Sequence, residues 1–349
     1  MLRPDLDERS REVLKALIQL HIATGEPVGS ESLSRVLSLP LSPATLRNAM
    51  AELERKGYLD QPHTSAGRLP TDEGYRVYVD SLMSQAFLAP RDTAAIRSEI
   101  SPRDGGSSER VMQNASHLLS RLSHNVGFVL TPDMARATFR HIDLVRLPHP
   151  RILVVMVSLT GLVTNKIVEV AEEMSPEDLQ WCANYLNAHF AGMGLAAIRG
   201  RLLDLMGEEK ALYDSLIRKV VSVGERAFAA GEDADGVYID GTANILEQPE
   251  FEDLARMRAL FKTFEEKSRL VKVLNACLSG DGLRIIIGHE NPEPDLRDMA
   301  LVTARYPLDG EPGFGLGVMG STRMEYARMI ALVDQVGRAV ARALAELRA

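Results

Sequence analysis

Between Thr24 and Gly57 the chain is punctuated too tightly for long helices or a continuous sheet. Thr24-Gly25-Glu26-Pro27 stops whatever precedes it. Ser30 is a good N-cap for a short helix through Leu37, which Pro40 closes. Ser42-Pro43 restarts the chain as a helix, with Ser at the cap and Pro at the first helical position. That helix runs through Lys56 and ends at Gly57. Upstream, Leu6, Val13, Leu14, Leu17, Ile18 and His21 share one face, which predicts a first helix of about four turns.

In the third helix, Leu46, Met50 and Leu53 fall at helical spacing and are expected inside, so Thr45, Arg47, Asn48 and Glu52 point elsewhere. Tyr58-Leu59-Asp60-Gln61 can form a short strand. Pro62 to Gly67 is turn material, with Gly67 giving a tight approach, and Arg68-Leu69-Pro70 can return. Thr71 caps a further helix carrying Tyr75, Tyr78, Val79 and Leu82. Helix, short helix, turn, helix and hairpin is the order of a winged helix-turn-helix, expected over residues 1–88.

Residues 89–108 read as a polar, turn-rich linker, interrupted by a short helix around Thr93 to Ile100. A helix from Glu109 to about Leu122 follows. Strands are expected at Val126–Leu130, Phe139–Leu147, Ile152–Leu159 and Val163–Val170, with Thr160-Gly161 as a hairpin turn. Their close spacing favours an antiparallel sheet. Ser175-Pro176-Glu177 opens a mainly helical stretch. Strands return at Val237–Asp240, Leu283–Ile287, Met299–Arg305 and Phe314–Met319, and a long helix closes the chain from about Met324. The economical reading is an α+β fold with a helical insertion.

Composition narrows the class. The 349 residues are 45% hydrophobic and 25% charged, the globular range, with 40 Lys+Arg against 48 Asp+Glu and a net charge of −8. No apolar run approaches the ~18 residues of a membrane helix, and Met1 to Ser10 is unlike a signal peptide. Cys182 and Cys277 have no metal or redox spacing and are expected in the core. These features point to a soluble protein of a reducing compartment.

The third helix carries the chemistry. Arg can hold guanine O6 and N7 with two bonds, and Asn does the same for adenine N6 and N7. Arg47 and Asn48 are adjacent, and both lie off the buried stripe. Ala44 and Thr45 can touch a thymine methyl, and Ser42 sets a hydroxyl and orphan amides near a phosphate. His63, Thr64, Ser65 and Arg68 of the hairpin can reach an adjacent groove or its phosphates. Residues 41–70 hold four bases and three acids, a net of +1, so tight binding calls for two copies of the unit. The same residue types also suit a solvated helix with a surface hairpin, and residue type alone leaves both readings standing.

Other signals carry less. Gly315 to Gly320 spells GxGxxG, but 29 residues remain after it and they read as one helix, where a dinucleotide site needs a further strand and an acid. Residues 231–253 hold eight acids and no Lys or Arg, read as a solvated surface. The calcium-loop hint at Asp233 fails, because Asn244 stands where the closing Glu belongs. No HExxH, His-Cys cluster or GxSxG elbow occurs, so no enzyme, metal or cofactor is expected.

The ordered set Thr24-Gly25-Glu26-Pro27-Val28-Gly29-Ser30, Leu41-Ser42-Pro43-Ala44-Thr45-Leu46-Arg47-Asn48, Gly57-Tyr58-Leu59, His63-Thr64-Ser65-Ala66-Gly67-Arg68, Pro70-Thr71 and Gly74-Tyr75-Arg76 resembles the family of the heat-inducible transcription repressor HrcA. Gly320-Ser321-Thr322-Arg323-Met324-Glu325-Tyr326 resembles it too, with Ser321 where the family has Pro. The similarity is dense over residues 6–82 and collinear to the end. It implies a cytoplasmic homodimeric repressor that binds an inverted repeat, CIRCE, upstream of chaperone operons, with the GroE chaperonin maintaining its activity. It also implies a winged helix, a GAF-like domain at 109–174 and 270–349, and an inserted dimerising domain at 175–269. Ser42, Ala44, Thr45, Arg47, Asn48, His63, Thr64, Ser65 and Arg68 are then the DNA-facing residues. The alternatives are a metabolite-responsive regulator using the GAF-like pocket, and an enzyme or partner-binding protein whose winged helix contacts protein.

Overall fold

A computed structural model describes residues 6–37, 41–62, 67–101, 107–131, 138–159, 163–170, 173–195, 197–198, 200–202, 215–228, 236–248, 254–278, 282–308 and 311–347. It is a mixed α+β protein with two helix-and-sheet bodies and a helical N-terminal unit.

The N-terminal unit opens with α1 (Glu8–Thr24). Asp7 caps it by accepting the Ser10 N–H at 2.8 Å, and Gly25 ends it at φ 77°. Hydrogen bonds from Ser10 hold the Asp7 carboxyl below the usual carboxylate range. α2 (Ser30–Val36) starts one residue earlier than expected, because Gly29 is the cap and Ser30 the first helical residue. Pro40 lies outside the described residues. α3 (Pro43–Arg55) begins at its Ser42 cap, and Gly57 beyond it takes φ 82°. The strands β1 (Leu59–Asp60) and β2 (Leu69–Pro70) pair antiparallel, Leu59 against Pro70. α4 (Asp72–Val77) is capped by Thr71 and runs on as one wider turn through Leu82.

Five antiparallel strands form the central sheet: β3 (Val126–Leu130), β7 (Val237–Asp240), β8 (Gly282–Ile287), β9 (Met299–Leu308) and β10 (Glu311–Ser321), in the order β7-β3-β10-β9-β8. One face packs Val129, Val302, Leu316 and Val318 against α6 (Ser108–Ser123) and the closing helix α11 (Tyr326–Glu346). The other packs Phe128, Leu130, Leu301 and Met319 with Leu260 of α9 (Leu254–Glu265) and Leu274 of α10 (Lys267–Cys277). Burying each such side chain stabilises by about 1.5–3 kcal/mol. The GxGxxG glycines lie inside β10. A Cβ on Gly315 would come within 2.3 Å of Leu278, so glycine here makes room for an apolar neighbour. The chain leaves β10 through Ser321, whose N–H donates to Gln248 Oε1 at 3.1 Å, a bond that Pro could not make.

The strands expected to form one sheet divide between two. β4 (Phe139–Arg146), β5 (Arg151–Ser158) and β6 (Val163–Glu169) make their own three-stranded antiparallel sheet. Its inner residues Ile142, Ile152, Val154 and Val168 share a core with Cys182 and Leu186 of α7 (Pro176–Phe190) and with Val220 and Val223 of α8 (Ser215–Phe228). These two helices fall within the stretch expected as the insertion, 175–269. The separately packed body includes the sheet from residue 138 and stops by 228, while residues 254–277 cover the central sheet. The acidic residues 229–235 and 249–253 and the turn at 160–161 lie outside the described residues.

The stretch expected as a linker, 89–108, holds the expected short helix. α5 (Pro90–Glu99) starts three residues before the expected helix, with Pro90 at its first position. Its Ile96 is buried, and its buried Asp92 pairs with Arg328 of α11 at 3.3 Å.

Candidate nucleic-acid interface

Leu46, Ala49, Met50 and Leu53 of α3 are buried. Ala44, Arg47, Asn48 and Arg55 are exposed, and Ala51 is half-buried. Positions 44, 47, 48, 51 and 55 recur at helical spacing and form one stripe with two arginines and no carboxylate. The acids of α3 are neutralised beside it. Glu52 pairs with Lys56 at 2.9 Å and Glu54 with Arg68 at 2.8 Å.

At the start of the helix, Ser42 Oγ accepts the Thr45 N–H at 3.2 Å and lies 2.8 Å from Thr45 Oγ1. The Ser42 hydroxyl thus serves the cap and remains exposed, beside helix amides that favour an anion. Arg9 of α1 reaches the same turn, donating from Nη2 to the Thr45 carbonyl at 3.4 Å. Arg47 Nε donates to Ser30 Oγ on α2 at 3.3 Å. Arg55 and Arg9 are additions to the residues singled out in the sequence. Arg55 was legible, because it stands seven residues after Asn48. Arg9 was not, because its approach is a tertiary contact.

Arg68, expected in the wing, is held on two sides. Its side chain is only 16% exposed and its Nε is bonded to Glu54, while its N–H and C=O both pair with Val28. It fixes the hairpin to α3 and to the entry of α2. Gly67 permits this, since a Cβ there would lie 2.6 Å from the Pro27 backbone. His63, Thr64 and Ser65 lie outside the described residues.

A seam joins this unit to the rest of the chain. The Tyr75 ring sits 5.9 Å from that of fully buried Tyr326. Arg76 pairs with Glu290 and donates from Nη2 to the Ile285 carbonyl at 2.8 Å. Burial alone would lower the Arg76 pKa; the bonds and charges of Glu290 and Asp80 outweigh it and raise it. Asp72 accepts the His289 N–H at 3.0 Å, and Arg323 Nη1 donates to the Ile22 carbonyl near the end of α1 at 2.9 Å. Thus Gly74-Tyr75-Arg76 and Arg323 to Tyr326, far apart in sequence, meet at one interface.

Elsewhere, a polar, open concavity of about 500 Å³ runs along α6, where His117 and Asp240 pair at 3.1 Å. Among the described residues no cluster of three or more His, Cys, Asp or Glu side chains could hold a metal ion. No helix among them is long and apolar enough to cross a membrane.

An exposed Arg-Asn stripe on a short helix, in a unit packed onto a helix-and-sheet body, suits a DNA-reading regulator. Comparison with known proteins gives the family. The model of the HrcA protein C terminal domain matches residues 109–330. A heat-inducible transcription repressor HrcA from Geobacter sulfurreducens is 43% identical, across 97% of this chain and 98% of its own. One from Syntrophobacter fumaroxidans is 38% identical, across 95% of each. A crystal structure of a protein described as hypothetical shares the fold, with a TM-score of 0.64 at 22% identity over 98% of this chain and 99% of that one. The chain belongs to the HrcA family of heat-inducible transcription repressors.

Proposed function

We propose that this chain is a sequence-specific DNA-binding repressor of heat-shock chaperone operons, acting as a cytoplasmic homodimer on the inverted repeat CIRCE. The observation that carries the reading is the exposure of Arg47 and Asn48 on the α3 face opposite its buried stripe. In this reading residues 1–88 are a winged helix and α3 enters the major groove. Arg47 and Asn48 meet base edges, Ala44 and Thr45 meet bases or backbone, and Ser42 meets a phosphate. His63, Thr64, Ser65 and Arg68 form the wing that meets an adjacent groove or its phosphates. The central sheet is the GAF-like domain. Repression needs no bond-making step, since occupancy of the operator suffices.

A palindromic operator calls for a two-fold protein. The three-stranded sheet supports this. Val145, Val163 and Ile167 share its outer face, and the last two are each 56% exposed. A second copy of the inserted body would cover them. In this reading the GroE chaperonin is the factor that maintains its activity, as the family resemblance implies.

A mobility-shift titration tests the reading. The inverted repeat should bind at least about 10³-fold tighter than a scrambled duplex of equal length. Equal affinity for both would overturn it. Arg47→Ala should lose about 1–3 kcal/mol of specific binding while the chain still folds. Adding purified chaperonin should raise the active fraction, and no change would remove that partner.

A further inference from the structure

We infer that Ser30 is a positioning residue for base recognition. It holds the Arg47 guanidinium so that the two Nη groups alone face the base. The inference rests on the proposed groove-reading role of α3. Arg47 stands exposed on α3, and its Nε donates to Ser30 Oγ across the gap between α2 and α3. Ser30 is the first residue of α2 and follows Gly29, which supplies no side-chain cap. The Ser30 hydroxyl is thus not engaged in capping α2 and can serve Arg47 instead.

The chemistry follows from the shape of the guanidinium. A free arginine can grip guanine through Nε and one Nη, or end-on through both Nη groups. A bond at Nε closes the first mode and leaves the second. It also fixes the plane of the fork before DNA arrives, so less side-chain freedom is lost on binding. Ser30 would then set how, and how firmly, Arg47 grips its base without touching DNA itself. Among the described residues the neighbouring Asn48 has no such brace, so discrimination at the Arg47 base pair should depend on Ser30 while its neighbour's does not.

The experiment uses the full chain and a duplex carrying the inverted repeat at which it footprints. Companion duplexes have each half-site guanine pair exchanged for an adenine pair in turn. Ser30→Ala should cut discrimination at one pair by about fivefold, at the same pair where Arg47→Ala cuts it most. Affinity for the scrambled duplex and the slope against salt should stay as in wild type, because no phosphate contact is lost. Ser30→Thr should restore discrimination. Thermal melting checks folding, and relaxation of the Arg47 Nε nitrogen in free protein gives a second readout, ordered in wild type and mobile in Ser30→Ala. Unchanged discrimination in Ser30→Ala, a uniform loss across all duplexes, or an Arg47 Nε already mobile in wild type would each overturn the inference and leave the DNA reading intact. If Arg47→Ala itself loses no discrimination, the groove-reading role falls first.

Discussion

The N-terminal unit and the inserted body are joined to the central sheet in opposite ways. The first shares a continuous apolar core with it, running from Leu14 and Leu53 through Tyr75 to Tyr326 and Val336. The second keeps a core of its own, from Phe139 to Ala227. Yet the sequence suggests the reverse, with a polar linker after the N-terminal unit and a strand-rich run leading without a break into the insertion. Connector polarity is a surface property and says little about which side chains meet beneath it.

Point changes can break that contrast. Tyr326→Ala, with its ring fully buried at the seam, should cost about 3–5 kcal/mol and unfold the N-terminal unit together with the central sheet. Leu186→Ala should cost about 2–5 kcal/mol but loosen the inserted body alone. The two thiols report the bodies separately, since Cys182 lies in the core of the inserted body and Cys277 in the layer packed on the second face of the central sheet. Burial pushes both up to about 11, so at pH 8 each should react with a thiol reagent only after its own body opens. Tyr326→Ala should speed labelling of Cys277 selectively, and Leu186→Ala that of Cys182. Equal acceleration of both by either change would mean one cooperative unit.

Arg76→Ala sharpens the seam. It removes the Glu290 pair and the bond to the Ile285 carbonyl and should cost about 1–3 kcal/mol, toward the lower end because Glu290 is 40% exposed. A double-mutant cycle with Glu290→Gln measures the coupling, and additive losses would deny it.

The smallest effect concerns acid. Lys219 Nζ donates to Asp178 at 2.9 Å, and that bond, with one from Ser175, holds the Asp178 carboxyl below its usual range. A folded pKa below the unfolded value adds stability above about pH 4, and this is lost as pH falls through the folded value. The denaturant midpoint of the inserted body should therefore fall in that acidic window in wild type and respond less steeply in Asp178→Asn. Identical pH profiles would leave the pair without weight.

Helix starts were the most legible part of this fold. Ser42, Thr71 and Ser175 cap their helices because the signal is local: a side-chain oxygen, an amide two or three residues on, and often a proline. The buried face of α3 was legible for the same reason, and with it the exposed Arg47 and Asn48. Sheet membership was harder. Alternation gives a strand one buried face but does not say which sheet receives it. One hint lay in Val126–Leu130, an unbroken apolar run that is buried on both sides, against the alternating Val163–Glu169. The seam was not legible, because Tyr75 and Tyr326 are ordinary apolar positions in their own helices and meet only through the fold. Arg68 shows the matching limit for sites: its residue type suits a phosphate and does not announce its ion pair with Glu54.

The central claim is that α3 reads DNA, twice over, from a two-fold assembly. Footprinting of the intact chain on DNA from its own source tests it most directly. Two protected half-sites of related, inverted sequence are predicted, their centres separated by whole helical turns of about 10–10.5 base pairs. A single unpaired footprint, or even cleavage along the whole fragment at saturating protein, would contradict it.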